Sequence, residues 1–310
     1  MRRILVTAIS GDIGNGILKI LKENGETVFG CDVNAYAAGM DITEQFWQCP
    51  YAVDTAYPDW LLDTCTQNKI GYIIPTNERE IERLDPVRER FLAAGIKLMI
   101  QSPEVLALCL DKHKTACFLK ETGLDAPDSR LEPGMLEPDR LYISKPCRSN
   151  GSKNIRIADG KSFMRTGIPE GCVLQEYIDD AYEYTIGLFR NEQITNVIVF
   201  RRELKNGYSY LVELVTDPAF TELANKVADA IHLQGYINIQ LRRKNGKNYI
   251  FEINPRISGT VRFRDMLGFR DVLWWLDLLD GNPAPRFINE YKEAVGIREL
   301  NEKFVKTVRA

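Results

Sequence analysis

YINIQLRRKNGKNYIFEINPR, residues 236–256, reads as two strands that meet at Asn245-Gly246, a dipeptide that favours a tight hairpin because both positions accept positive φ. In the first strand Ile237, Ile239 and Leu241 alternate with Asn238, Gln240 and Arg242; in the second, Phe251 and Ile253 alternate with Glu252 and Asn254. Successive side chains of a strand point to opposite faces, so each strand has an apolar side and a polar side. For both apolar sets to meet one core, Gln240 and Glu252 must share the opposite face, and strand parity then demands an odd-numbered loop. The expectation is a three-residue loop with Gly246 in the left-handed position of a bulge, and Gln240, Glu252 and Asn254 gathered on one side. One carboxylate and two amides on a rigid sheet suit magnesium, which takes hard oxygen ligands and is usually completed by substrate phosphates. A solvated polar face would show the same alternation.

Outward from the hairpin, residues 1–107 alternate strand and helix: ILVTAI, a helix over 13–24, TVFGCD, a helix over 60–68, YIIP at 72–75, a helix over 79–94 and IKLMI at 96–100. Such alternation implies a parallel sheet with right-handed crossovers, a Rossmann-like unit. Near Pro103 the pattern changes to two helices, a proline-rich stretch at 127–138, and strands at 141–145 and 154–158. YTIGLFR, TNVIVFRREL and YSYLVELV then read as antiparallel strands, followed by a helix over about 218–232. The fold class is α/β followed by α+β, with domains at 1–105 and 106–310.

Composition narrows the function. The 310 residues are 45% hydrophobic and 27% charged with a net charge of −3, which fits a soluble globular protein and supplies no basic stripe for nucleic acid. Seven cysteines, widely spaced and without a C-x-x-C, suggest neither a disulfide framework nor a zinc cage, and a reducing cytoplasm fits them best. DVLWWLDLL at 271–279 is too short to span a bilayer and contains Asp277, so it reads as a core helix. GKS at 160–162 lacks the glycine of a Walker loop, with Ile155 in its place. His113 and His232 are the only histidines, and no G-x-S-x-G occurs.

EINPRISG at 252–259 resembles the ATP-grasp superfamily, in particular the synthetase domains of the carbamoyl phosphate synthetase large subunit and related carboxylate-amine ligases. The resemblance covers nearly the whole chain. It implies a Rossmann-like pre-ATP-grasp domain followed by a two-lobed ATP-grasp fold, with a small lid lobe at about 140–177 and a larger lobe at about 178–310. It implies ATP and two magnesium ions as cofactors, with Mn2+ as a substitute. Glu252 would bridge the two ions, Gln240 and Asn254 would each ligate one, and Arg256 would face the transferred phosphoryl group. Lys145, at the end of LYISK, is placed to reach nucleotide phosphates, and the family has a lysine there. Lys112 would be a second phosphate contact. RSNGSKN at 148–154, with Ser149, Gly151 and Ser152, would close its N–H groups over phosphate oxygens. VLQEYI at 173–178 matches the adenine linker, so Glu176, Tyr177 and Ile178 would offer backbone groups to the base and Glu183 would hold the ribose.

In the family the first unit shapes the acceptor or carboxylate site. SGDIG at 10–14 carries only Gly11 and Gly14 of the dinucleotide fingerprint, although Asp32 lies where a ribose-binding acid would, and a structural turn is the better reading. Thr76, Asn77 and Glu78 of PTNERE follow a strand at the sheet's carboxyl edge, a usual place for ligands, with helix capping as the alternative. Ser258, Thr260, Arg262, Arg201 and Arg202 are candidate contacts for a carboxylate or acyl phosphate. The resulting expectation is a cytoplasmic ATP-dependent ligase that joins a small-molecule carboxylate to an amine or other nucleophile, with no membrane partner and with room for a homo-oligomer. The competing readings are an NAD(P)-dependent oxidoreductase built on the first domain and an inactive ATP-binding module. The first explains only Gly11, Gly14 and Asp32; the second would be marked by loss of Glu252 or Asn254, and both are present.

Overall fold

The computed structural model describes residues 1–148, 154–180 and 182–299. Its first sheet is parallel, with strands β1 (Arg3–Val6), β2 (Thr27–Asp32), β3 (Gln45–Gln48), β4 (Tyr72–Ile74) and β5 (Lys97–Leu98) in the order β3-β2-β1-β4-β5. Helices α1 (Asp12–Glu23), α2 (Tyr57–Gln67), α3 (Glu78–Leu84) and α4 (Arg88–Ala93) lie between them. The order reverses between β1 and β4, so the turns after these two strands flank the crevice where open α/β sheets hold ligands. The helix expected over 79–94 is two helices, because Pro86 sits in the 3-10 turn Asp85–Val87 and cannot continue the α-helical ladder. Gly14 is needed for packing: a Cβ there would stand 2.7 Å from Ala8 O and 2.8 Å from Ile9 Cα.

Helices α5 (Pro103–Cys109) and α6 (Lys112–Glu121) lead to a four-stranded antiparallel sheet. It comprises β6 (Ser129–Arg130), β7 (Leu141–Pro146), β8 (Arg156–Asp159) and β9 (Cys172–Glu176), ordered β6-β9-β7-β8, with α7 (Gly160–Thr166) after β8. Tyr142 and Leu174 pack on Phe163 of α7, so Ile143 and Lys145, one and three residues further along β7, face the other way.

The largest sheet joins β10 (Glu183–Arg190), β11 (Thr195–Lys205), β12 (Tyr208–Val215), β13 (Gly235–Lys244), β14 (Lys247–Asn254) and β15 (Val295–Ile297) in the order β14-β13-β10-β11-β12-β15. Helix α8 (Pro218–Ala230) buries Phe220, Ala224, Val227 and Ala228 against Ile186, Leu188, Ile237, Ile239, Leu241, Ile250 and Ile253. A second core runs from Ile4 of β1 and Ile17, Leu18 and Leu21 of α1 to Val261 of α9 (Val261–Met266), Trp274 and Trp275 of α10 (Asp271–Leu279), and Phe189 and Tyr236 of the large sheet. The first sheet and the large sheet therefore share apolar packing. Among the described residues no helix is long and apolar enough to cross a membrane.

The hairpin departs from the expected loop. Lys244 pairs with Lys247, and Asn245 and Gly246 have φ of 51° and 78°, so the turn has two residues. Parity is restored inside β14: Gln240 pairs with Glu252 but Leu241 pairs with Ile250, leaving Phe251 as the extra residue of a β-bulge. The Asn-Gly turn matches strand twist so well that the odd residue moves into the strand. Ile250, not Phe251, joins Ile253 in the core, and Phe251 lines a cavity on the polar side. Gly246 has the expected positive φ.

An ionic knot ties the first sheet to α10. Arg2 contacts Glu26 at 3.0 Å, Asp280 at 2.8 Å, and Asp277. Lys97 Nζ and Tyr72 Oη each approach Asp280 Oδ1 at 2.5 Å. Burial would raise the Asp280 carboxyl, but the donors Lys97, Tyr72 and Arg2 hold it at about 2. A depressed carboxylate pKa stabilises the fold above the ordinary value, and the contribution is lost as pH falls toward the folded value. Asp280→Asn should therefore cost about 2 kcal/mol at pH 7. In urea titrations that cost should shrink as the pH is lowered from about 4 to about 2.

Candidate active site

The bulge sets the polar wall. With Asn238 opposite Asn254 and Gln240 opposite Glu252, all four side chains share one face of the large sheet. Asn238 donates to Thr185 Oγ1 and Ile186 O, and Gln240 Nε2 approaches Asn238 Oδ1 at 3.4 Å. Gln240, Glu252 and Asn254 line a cavity of about 350 Å³. Among the described residues the side-chain carbonyls of Gln240 and Asn254 receive no hydrogen bond, and Glu252 offers its carboxylate between them. That donor set, hard oxygens on a sheet, fits magnesium.

Three cations converge on this wall. Lys112, the first residue of α6, is held by Asp111, which caps the helix by accepting from His113 N and Lys114 N; its Nζ lies 3.1 Å from Glu252 Oε1. Lys145 faces away from α7, is 6% exposed, and donates to the carbonyl of the bulge residue Phe251 at 3.1 Å, with the Phe251 ring 5.1 Å away. Arg256 follows β14 and pairs with Glu78 Oε1 at 2.6 Å. Glu78 Oε2 is buried without a partner among the described residues. Burial lowers the Lys145 ammonium to about 8, although Glu252 and Glu183 pull the other way. Burial would raise Glu252, yet Lys112 and Lys145 hold it below the usual carboxylate range. Burial opposes the charge of Arg256, but Glu78 and Glu252 keep it above its ordinary value.

The same cavity reaches the sheet of β7 and β9. Ile143, Ile157, Ile178 and Leu204 give it an apolar part, beside Glu176, Tyr177 and Glu183. Glu176 and Tyr177 donate their N–H groups to Asp128 O and Leu141 O, whereas the Ile178 N–H has no partner among the described residues. Glu183 pairs with Arg202. The Glu176 side chain meets Arg140 at 2.6 Å.

Lys112, Lys145, Glu176, Tyr177, Ile178, Glu183, Gln240, Glu252, Asn254 and Arg256 thus line one cavity, as do Ser258 and Arg202. Ser149, Gly151 and Ser152 lie outside the described residues. Arg201 pairs with Glu213, and Arg262 pairs with Glu23 and Asp265, so neither serves the cavity. Thr260 and Ser258 both accept from the fully buried Arg264, which is itself held by Asp271 at 2.6 Å. Thr76 is tied to Thr7, and Asn77 caps α3 by accepting from Glu80 N.

Sequence reasoning missed Asp12, Arg242 and Arg298. Arg242 shares the face of Gln240 by alternation, which could have revealed it; it donates to Tyr177 Oη, Ile178 O and Asp180 O, each at 3.2 Å, fixing the linker. Asp12 lines the cavity beside Gly259, where a Cβ would fall 2.4 Å from Asp12 Oδ2. Arg298 donates to Gly259 O at 2.5 Å and lies 3.5 Å from Asp12. No local pattern in the sequence links residues 12, 259 and 298.

Residues 169–302 match the family model described as "ATP-grasp in the biosynthetic pathway with Ter operon", and residues 4–99 match the PylC-like N-terminal domain. The carbamoyl phosphate synthase large chain of Kocuria rhizophila is 24% identical over 199 residues, 55% of this chain and 18% of that protein. The chain thus spans about a fifth of the length of such curated relatives. Among solved structures, the N5-carboxyaminoimidazole synthetase of Staphylococcus aureus complexed with ADP superposes with a TM-score of 0.74 at 16% identity, covering 97% of this chain and 84% of that one. The L-amino acid ligase of Bacillus licheniformis gives 0.70 at 16% identity, covering 89% and 73%.

The buried Lys145 generates a stability prediction. A lysine whose folded pKa is depressed destabilises the fold below that pKa, and the penalty disappears as pH rises toward the unfolded value. Lys145→Met should be more stable than the native chain at pH 7 by about 1–2 kcal/mol. In denaturant titrations the difference should fade between pH about 8 and about 10.4.

Proposed function

The chain belongs to the ATP-grasp superfamily, and on that premise we propose that it is an ATP-dependent ligase coupling a carboxylate to an amine or another nucleophile. The convergence of Lys112, Lys145 and Arg256 on the Gln240-Glu252-Asn254 wall of one cavity carries this reading. Chains of this fold bind ADP in solved structures, and a ligase of amino acids shares the architecture. The comparisons lend no support to an oxidoreductase. Asp32 accepts from Ser10 N, Asn34 N and Asn34 Nδ2, so its carboxylate is committed to joining its own turn to the turn after β1.

The adenine would lie in the apolar part of the cavity, reading the Ile178 N–H, with Glu183 at the ribose once Arg202 yields to it. The phosphates would lie toward Lys145 and Lys112. Each carboxylate on the cavity wall already has a cation: Asp12 with Arg298, Glu78 with Arg256, Glu176 with Arg140, Glu183 with Arg202, and Glu252 with Lys112. Lys145 makes no ion pair among the described residues, so a phosphate oxygen is a natural partner, and one that would restore its full charge. When bound, magnesium would neutralise phosphate oxygens and align the in-line transfer, held by Glu252 with Gln240 and Asn254, whether as one ion or two and with Mn2+ as a substitute.

An oxygen of the substrate carboxylate would attack the γ-phosphorus as the bond to ADP breaks, with Arg256 and Lys145 holding the non-bridging oxygens. The amine nitrogen would then attack the acyl carbon, lose a proton, and release phosphate. The chain supplies position and charge and needs no covalent nucleophile of its own.

The decisive experiment is a screen of carboxylate and amine pairs for phosphate release, with mass spectrometry of the products. Glu252→Gln, verified as folded by circular dichroism, should lower turnover at least about a hundredfold; unchanged turnover in the folded variant sinks the reading. Because recognition of the base would run through backbone atoms of the linker, calorimetry should show ATP binding tighter than GTP. A bulky change at Ile178 should weaken ATP more than a change of the Glu176 side chain.

A further inference from the structure

A second cavity, of about 290 Å³, opens at the C-terminal edge of the first sheet, walled by the turns after β1, β2 and β4 and by the segment that follows β3. Its two carboxylates are already engaged. Asp32 accepts from Ser10 N in the turn after β1 and from Asn34 N and Asn34 Nδ2 in its own turn. Glu80 accepts from Thr7 Oγ1 at 2.6 Å, Tyr57 Oη at 3.0 Å and Thr76 N at 3.2 Å, and burial pushes its carboxyl up, which weakens its charge. Asn77 Oδ1 takes the Glu80 N–H at 3.1 Å, leaving the Asn77 Nδ2 to donate. Arg79 makes no hydrogen bond or ion pair among the described residues. Among the described residues, Arg79 is therefore a cation of this cavity without a carboxylate partner, and the Asn77 amide adds a second donor beside it. Pro50, Tyr51 and Val53 supply an apolar flank, on which Tyr51 and Val53 are more than half exposed.

We infer that this cavity binds a carboxylate with an apolar or aromatic body, its acid group forked by the Arg79 guanidinium and steadied by the Asn77 amide. A planar guanidinium matches a carboxylate through two parallel N–H donors, and the apolar flank favours a ligand whose charge is confined to one end. Arg79 also lines a small cavity of about 50 Å³ together with Glu78, Lys112, Glu252 and Asn254. An acid held by Arg79 thus stands one side chain away from the groups proposed to handle the γ-phosphate. That this acid is the one to be phosphorylated rests on the ligase reading; that the cavity binds a carboxylate does not.

The test uses the full chain without nucleotide, with 3-phenylpropanoate as probe and its uncharged amide, 3-phenylpropanamide, as control. Saturation-transfer NMR and calorimetry should show binding of the acid, at least tenfold weaker binding of the amide, and a similar loss for the acid in Arg79→Gln. Arg79→Lys should keep part of the affinity, since it retains charge without the fork. ATP binding by Arg79→Gln should equal that of the native chain, which verifies the fold of the variant and separates the two cavities. Equal binding of acid and amide, undiminished binding in Arg79→Gln, no binding of the acid, or joint loss of ATP and acid would each overturn the inference. Failure of the ligase reading would appear instead as absent ATP turnover with acid binding intact.

Discussion

One extra residue in β14 governs the rest of the molecule. Without the bulge at Phe251, the two-residue Asn245-Gly246 turn would pair Gln240 with Phe251 and send Glu252 into the layer occupied by Ile237, Ile239, Leu241 and Ile253. An unpaired carboxylate there would cost several kcal/mol or be forced to neutralise. The bulge removes that conflict and has a second effect. It turns the Phe251 carbonyl out of the ladder, where it receives the Lys145 ammonium. The feature that rescues the register of one sheet thereby anchors a lysine from another.

Charge balance follows from that arrangement. Burial penalises every ion on the wall, and the penalty is tolerable because carboxylates and cations are interleaved: Lys112 against Glu252, Arg256 against Glu78, Arg202 against Glu183. Lys145 is held by a carbonyl and a ring in place of a carboxylate, and its ammonium is the one that burial weakens most plainly. A site built this way pairs its wall carboxylates with cations and leaves Lys145 without a carboxylate partner among the described residues, where an anion would arrive.

The first sheet is part of this economy and not an appendage. Its strand order brings the turns after β1 and β4 to one crevice, and from those turns Asp12 and Glu78 reach the wall built by the large sheet. The shared core from α1 to Trp274 and Trp275 fixes their approach, and Gly14 and Gly259 mark where the backbone must come too close for a Cβ. Arg298, from the far end of the described chain, closes the corner through Gly259 O and Asp12.

Alternation and turn chemistry are local, so the sequence alone determined the parallel first unit, the antiparallel remainder, the shared face of Gln240, Glu252 and Asn254, and the positive φ at Gly246. Family likeness added Lys112, Lys145, Glu176, Glu183 and Arg256, which the structure brings to one cavity. Where the odd residue of the hairpin lodges was not legible, because a loop insertion and a strand bulge satisfy the same parity, and the choice depends on how well the Asn-Gly turn follows the twist of the sheet. The division of helix 79–94 was legible in Pro86 but easily overridden by the apolar spacing around it. The places of Asp12, Arg298 and Arg79 on their cavities were decided by tertiary structure alone. Each depends on residues far apart in the chain, and on which carboxylates have already found their partners once the chain has folded.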